Sequence, residues 1–106
     1  MTNIYHPNGQ VAWTGSMAYH INGNQAWTTQ GFAYHDNQQI AWTGSDAYYA
    51  NGFPAWHNNH SFDSKGNFLE TNSRAWKVDL GSGFHIMVSS TGAELFFKGK
   101  KLASAK

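Results

Sequence analysis

The chain has 106 residues, of which 41% are hydrophobic and only 12% are charged, with a net charge of +1 and no cysteine. A chain of this length forms at most one domain, without disulfide or thiolate-metal stabilisation. The near-neutral charge argues against a nucleic-acid-binding surface, and no apolar run approaches the roughly 18 residues of a membrane span. Because the N-terminus lacks a basic and then apolar signal segment, we expect a cytoplasmic protein.

Four consecutive segments of the chain repeat one pattern, in which a tyrosine is followed by an Ala-Trp pair. The tyrosines are Tyr5, Tyr19, Tyr34 and Tyr48, and the tryptophans are Trp13, Trp27, Trp42 and Trp56. Both rows recur at the same regular interval, which is one position longer between the second and third segments. This period is too short for helical repeats, and turn residues interrupt it twice per unit.

The turn residues predict that each unit is a β-hairpin. Three units carry an Asn-Gly pair, which favours a two-residue type I′ turn: Asn8-Gly9, Asn22-Gly23 and Asn51-Gly52. Between units, Gly15-Ser16 and Gly44-Ser45 predict type II′ turns with glycine at the first central position. The longer link Thr29-Gln30-Gly31 predicts a three-residue loop with Gly31 in the left-handed conformation.

The predicted fold is all-β, an antiparallel meander of about five hairpins over residues 3–70. A degraded fifth hairpin includes Phe62 and Phe68. Residues 71–98 are predicted to form closing apolar strands, and residues 99–106 a frayed basic tail, within a single domain over 1–106. About thirteen strands result, and the sheet could stay open and twisted, fold into two layers or close into a barrel.

The two faces of the meander carry different aromatic rows. With two-residue turns, Tyr5 is expected opposite Ala12, and Trp13 between Ile4 and Ala18. Strand alternation also places three apolar residues on the tryptophan face: Val11, Ile40 and Pro54. We therefore interpret the tryptophan face as the core.

The tyrosine row is the candidate ligand or interface site. Equivalent tyrosines are expected two strand spacings apart, roughly 9.5 Å. They could pack as a second covered face, form a subunit interface, or provide a flat platform on which sugar rings stack. The many Asn and Gln residues would supply hydrogen bonds to a carbohydrate, but they are also typical of turns.

Histidines occur in two patterns. His6, His20 and His35 share one position of the repeat, too far apart to bind one metal ion, although they would charge together below about pH 6. His57 and His60 are predicted to lie opposite each other across a turn. Two ligands alone make a weak metal site, so we interpret this pair as part of a polar turn and expect no metal or other cofactor.

The sequence shows no pattern of catalytic residues. It contains no nucleophile motif, no phosphate-binding loop and no carboxylate pair whose spacing indicates one pocket. We therefore expect a protein that is not an enzyme.

The aromatic strand, Asn-Gly turn and tryptophan strand together resemble the MORN-type hairpin repeats and related bacterial repeats. The resemblance covers residues 4 to 70 and depends on Tyr5, Gly9, Trp13 and their equivalents. The MORN repeat is longer than the repeat of this chain. The resemblance implies an elongated single-sheet scaffold used in protein association or membrane tethering, and it transfers no site residue.

Two functions follow as hypotheses. The first is a non-enzymatic β-repeat scaffold that self-associates or binds a protein, with a homodimer as the simplest assembly. The second is a lectin-like module that binds a glycan on the tyrosine row. Neither hypothesis involves nucleic acid or a membrane span.

Overall fold

The computed structural model describes residues 3–71 and 76–105, and this part of the chain is all-β, with 14 strands and no helix. The first ten strands are β1 (Ile4–Tyr5), β2 (Val11–Trp13), β3 (Ala18–Tyr19), β4 (Gln25–Trp27), β5 (Ala33–Tyr34), β6 (Ile40–Trp42), β7 (Ala47–Tyr48), β8 (Pro54–His57), β9 (His60–Phe62) and β10 (Phe68–Thr71). The last four are β11 (Trp76–Gly81), β12 (Phe84–Ser89), β13 (Gly92–Phe97) and β14 (Lys100–Ala105). Each group forms one antiparallel sheet in chain order, which confirms the predicted hairpin meander.

The turns at the Asn-Gly pairs are three-residue loops, so the prediction of two-residue type I′ turns is wrong. The N–H of His6 donates to the Gln10 carbonyl (2.8 Å), and the N–H of Gly9 donates to the His6 carbonyl (3.0 Å). Gly9 has a φ of 90°, whereas the φ of Asn8 is not positive. This is a type I turn followed by a left-handed bulge residue. Asn8 favours it, because its Oδ1 accepts the N–H of Gln10 (3.0 Å).

The other turns agree with their predicted chemistry. Gly15 and Gly44 adopt φ values of 102° and 103° at the first central position of two-residue loops, and Gly31 has a φ of 86° in a three-residue loop. The left-handed two-residue turn occurs instead between β8 and β9, where Asn58 and Asn59 have φ values of 50° and 65°. Asparagine tolerates this conformation better than most residues with a side chain.

The extra loop residue changes the register on one side of each hairpin. Ile4 pairs with Trp13 as predicted, but Tyr5 pairs with Val11 and not with Ala12. The same shift recurs in the next three hairpins, which pair Tyr19 with Gln25, Tyr34 with Ile40 and Tyr48 with Pro54. A bulge therefore moves Val11, Ile40 and Pro54 onto the tyrosine face, in contrast to the prediction that they share the tryptophan face.

The tryptophans of the four repeats lie in the core, with exposed fractions of 8%, 3%, 1% and 3% in chain order. Each central tryptophan is flanked across the sheet by alanines. Trp27, for example, pairs with Ala18 and Ala33, which are both fully buried. The small neighbours leave room for the large indole side chains on this face. The tryptophan face is thus the buried face that the sequence indicated.

The second sheet shares this core. Alternate residues of β11–β13 are buried in one cluster with the tryptophans: Val78, Leu80, Phe84, Ile86, Val88, Ala93, Leu95 and Phe97. The His20 ring lies 5.6 Å from the Phe84 ring, and the N–H of Asp36 donates to the Leu80 carbonyl (3.1 Å). The molecule is therefore two-layered, and its sheets are not closed into a barrel.

The predicted frayed tail is wrong, because Lys100–Ala105 forms strand β14 and pairs with β13. Ala103 and Ala105 are partly buried against the core, and the Lys101 Nζ lies 2.8 Å from the Glu94 Oε2. These contacts fix the segment and give 14 strands where about thirteen were expected. Residues 72–75 of the predicted closing segment and residue 106 of the predicted tail lie outside the described residues.

Two columns of side-chain hydrogen bonds connect successive hairpins. In one, an asparagine amide donates to a carbonyl of the next turn: Asn8 to Ile21, Asn22 to Asp36, Asn37 to Ala50 and Asn51 to Ser64, at 2.7–3.0 Å. In the other, the residue after each tyrosine bonds the next aromatic residue's carbonyl: His6 to Tyr19, His20 to Tyr34, His35 to Tyr48 and Tyr49 to Phe62, at 2.6–2.8 Å. Repeated residues thus hold one unit to the next.

Candidate functional site: the tyrosine face

The tyrosine face is the outer face of the ten-stranded sheet. Tyr19 lies between Ala18 and His20, which are both fully buried, and successive residues of a strand point to opposite faces. The Tyr19 side chain therefore points away from the second sheet. Tyr5 is 56% exposed, and the other three repeat tyrosines are half-buried. All four predicted candidates, Tyr5, Tyr19, Tyr34 and Tyr48, thus lie on one face.

Two shallow depressions on this face are formed by equivalent positions of successive repeats. Each depression is lined by four residues of the repeat. Two are the first residue of a strand that contains a repeat tryptophan and the residue before that strand. The other two are the next tyrosine along the chain and the left-handed residue of the turn that follows this tyrosine. The first depression (≈ 290 Å³) is lined by Gln10, Val11, Tyr19 and Gly23, and the second (≈ 260 Å³) by Asn24, Gln25, Tyr34 and Gln38. The repeat therefore generates a repeated surface feature.

Amide groups beside the tyrosine rings provide the hydrogen-bonding chemistry of the depressions. Within residues 3–71 and 76–105, the side-chain amides of Gln10 and Gln25 have no hydrogen-bond partner in the protein. In the second depression, the Gln38 amide donates to the Asn24 Oδ1 (3.2 Å). The first depression is the more apolar, because Val11 and Gly23 occupy the positions of Gln25 and Gln38.

The repeat region carries little charge. No lysine or arginine precedes Lys65 in the chain, and the acidic residues before it are Asp36, Asp46 and Asp63. Asp46 pairs with His57, whose Nδ1 lies 2.7 Å from the Asp46 Oδ1. Among the residues that the structure describes, the lining of both depressions contains no carboxylate and no basic group. A strongly charged partner therefore finds no complementary charge there.

His57 and His60 do pair directly across the β8–β9 turn, as predicted. The His57 ring is held by Asp46 on one side and by the Asn58 amide on the other (3.1 Å), and the His60 ring packs against Phe68 at 5.5 Å. No group of three or more His, Asp or Glu side chains in the described ranges is placed to hold a metal ion.

The histidine row lies inside the protein. His6, His20 and His35 are 4%, 0% and 2% exposed. Since a carbonyl oxygen only accepts, each Nε2–H donates a hydrogen bond to the tyrosine carbonyl it contacts. Burial lowers the pKa of both His20 and His35 below 6.5, although the bonds to Tyr34 and Tyr48 oppose the shift. Burial therefore favours the neutral imidazole at His20 and His35.

Another pocket (≈ 290 Å³) lies beside the indole rings of Trp42 and Trp56. The rest of its lining is backbone, hydroxyl and amide: Gly44, Ser45, Asn58, Asn59, Ser89, Ser90, Thr91 and Gly92. None of the described residues that line it has an ionisable side chain.

The sequence indicated the tyrosines but not the residues beside them. Gln25 joins a depression because the bulge brings the residue opposite Tyr19 onto the outer face, and Gln10, Asn24 and Gln38 flank the three-residue loops or lie in them. The available signal was their position, since Gln10 and Asn24 both precede a tryptophan strand by one residue. Correct identification of the turn type would have found them.

Comparisons with protein-family models, curated proteins and solved structures give no match to this chain. The resemblance to the MORN-type repeats therefore stays a prediction from the sequence. In the part of the chain that the structure describes, no helix is long and apolar enough to cross a membrane.

Proposed function

We propose that this protein is a non-enzymatic interaction module, a β-repeat scaffold that binds its partner through the tyrosine face. The observation that supports this is the difference in burial between the two faces. The tryptophans and the histidine row are buried in the core, whereas the four tyrosines remain accessible at regular intervals. Tyrosine is enriched at protein interfaces, because its large ring also carries a polar group.

The simplest partner is a second copy of the chain. A two-fold dimer brings the same patch of both subunits together. Three of the four tyrosines pair with apolar residues, Val11, Ile40 and Pro54, which suits such self-pairing. Within the described residues, β1 is an edge strand of the ten-stranded sheet, and this edge favours association as well, since an edge strand offers backbone groups for pairing.

Light scattering at micromolar concentration tests this proposal. We expect a dimer mass for the natural protein and a monomer mass for the double variant Tyr19→Ala, Tyr34→Ala. Phe96→Ala is the matched control, because it removes a half-buried aromatic side chain from the second sheet. A monomer mass for the unaltered protein would exclude self-association, and equal loss in the control would exclude the tyrosine face.

Carbohydrate binding is the second candidate function, favoured by the two depressions in which amides with free hydrogen-bonding capacity lie beside a tyrosine ring. A glycan-array screen separates the two functions when it is run beside the mass measurement. Saturable binding to one class of sugar, lost in the Tyr19→Ala, Tyr34→Ala variant, would favour the glycan. No binding together with a dimer mass would favour protein association.

A further inference from the structure

We propose that the two depressions are consecutive subsites for one extended, neutral, β-linked glycan, which crosses the strands and presents the same ring face at each hairpin. This inference depends on the second candidate function. It is carried by the equivalence of the two sets of lining residues, Gln10, Val11, Tyr19 and Gly23 in one and Asn24, Gln25, Tyr34 and Gln38 in the other.

Spacing is the first argument. The depressions are one hairpin apart, which is two strand spacings or roughly 9.5 Å. A ligand that fills both must repeat at about this distance and stay extended. A β-linked glycan of pyranose rings is a flat ribbon in which every second ring has the same orientation, and two rings have a length of this order. A helical α-linked chain does not keep that alignment.

The chemistry of the lining is the second argument. A sugar ring has apolar C–H faces and a rim of hydroxyl groups that both donate and accept hydrogen bonds. Tyr19 and Tyr34 offer ring surface to those faces. The free amides of Gln10 and Gln25 each supply two donors and one acceptor oxygen for the rim. Hydroxyl groups and amides therefore complement each other at both subsites.

Charge and backbone geometry argue against other polymers. Anionic chains need lysine or arginine, and neither residue type occurs before Lys65. An extended peptide binds most readily at a sheet edge, where its N–H and C=O groups find partners, and not across side chains on a face. A neutral glycan carries its hydrogen-bonding groups around its rings and has neither restriction.

Calorimetric titration with β-1,4-linked glucose oligomers of two, four and six units, and with the corresponding N-acetylglucosamine oligomers, tests the proposal. In at least one series we expect the longest oligomer to bind on the order of 10-fold or more tightly than the disaccharide, because the second subsite is filled intramolecularly. Tyr19→Ala and Tyr34→Ala should each reduce the affinity for the longest oligomer to that of the disaccharide.

Two controls keep the result interpretable. Phe96→Ala should leave the affinity unchanged, because it removes a half-buried aromatic side chain from the second sheet that lines neither depression. Tyr19→Phe and Tyr34→Phe keep the ring, so near-natural affinity is expected where the alanine variants lose it. A six-unit α-1,4-linked glucose oligomer should not show the gain with length.

The possible failures are distinct. Affinity independent of chain length, equal binding of the α-linked oligomer, or alanine variants that bind like the natural protein would overturn the paired subsites. Absence of binding to every oligomer would also overturn them. If the protein is still a dimer that Tyr19→Ala, Tyr34→Ala dissociates, the interaction module stands; a monomer without glycan binding would refute both.

Discussion

Replacing Gln38 by glycine should stabilise the protein. Gln38 occupies the left-handed position of the third hairpin, with a φ of 74°, where the other three repeats have Gly9, Gly23 and Gly52 with φ values of 90° to 91°. A side chain at this position brings Cβ close to the backbone, whereas glycine adopts the conformation freely. Among the four repeats, the third is thus the one with a residue other than glycine at the left-handed turn position.

The size of the effect follows from two opposing terms. The left-handed conformation costs an L-residue roughly 1–2 kcal/mol in the folded state, and glycine removes this cost. The greater freedom of glycine in the unfolded chain offsets roughly 0.5–1 kcal/mol of the stabilisation. The exposed hydrogen bond from Gln38 to Asn24 is also lost, but such bonds contribute little. We expect a net stabilisation of ~0.5–1 kcal/mol, or ~2–6 °C in Tm.

Thermal and urea unfolding of Gln38→Gly and of the reciprocal variant Gly23→Gln measure this difference. A Cβ on Gly23 meets no atom within 4 Å, so its substitution tests the backbone conformation without a steric clash. The two variants should change the free energy of unfolding by similar amounts in opposite directions.

Two results would refute the reasoning. If Gly23→Gln is as stable as the natural protein, the turn does not require a left-handed residue. If Gln38→Gly is destabilised while Gly23→Gln behaves as expected, the side chain of Gln38 contributes more through Asn24 than the strain of its backbone costs.

Two further predictions concern the core and the last strand. Burial lowers the pKa of both His20 and His35, so the native state binds fewer protons than the unfolded state, and its stability should fall as the pH drops through 6.5 towards the folded-state pKa values. Urea midpoints at about pH 7.5 and about pH 5.5 check this, and equal midpoints would contradict it. A Cβ on Gly31 would lie 2.7 Å from the Ala105 Cβ, so Gly31→Ala should cost ~1–3 kcal/mol more than Gly23→Ala in thermal unfolding. Equal costs would show that β14 does not pack there.

Local chemistry made the meander predictable from the sequence. Glycine at Gly15, Gly31 and Gly44 was sufficient to place turns, because positive φ is a property of the residue and its immediate neighbours. The pairing of Trp27 with Ala18 and Ala33 followed from strand length and the alternation of large and small residues. These features depend on short stretches of chain, and the same pattern occurs in all four repeats.

The register beside the tyrosines was not predictable in the same way. Asn8-Gly9 suits a two-residue turn and also the three-residue loop with a bulge, and the two alternatives differ by one residue on one strand. In the structure, the loop with the bulge buries Ala12 beside Trp13 and ties Asn8 to the next hairpin through the Ile21 carbonyl. Those contacts form only when neighbouring units assemble.

By itself, the sequence determined the class of fold, the hairpin unit and the identity of the buried aromatic row, because each depends on residues close together in the chain. Only the tertiary structure decided that a second sheet covers the histidine row, that Lys100–Ala105 is a strand, and that Gln25 lies beside the tyrosines. Burial by a distant segment is the physical reason in the first case, and packing of Ala103 and Ala105 against the core is the reason in the second. In the third case, a bulge of one residue places Gln25 on the tyrosine face opposite Tyr19.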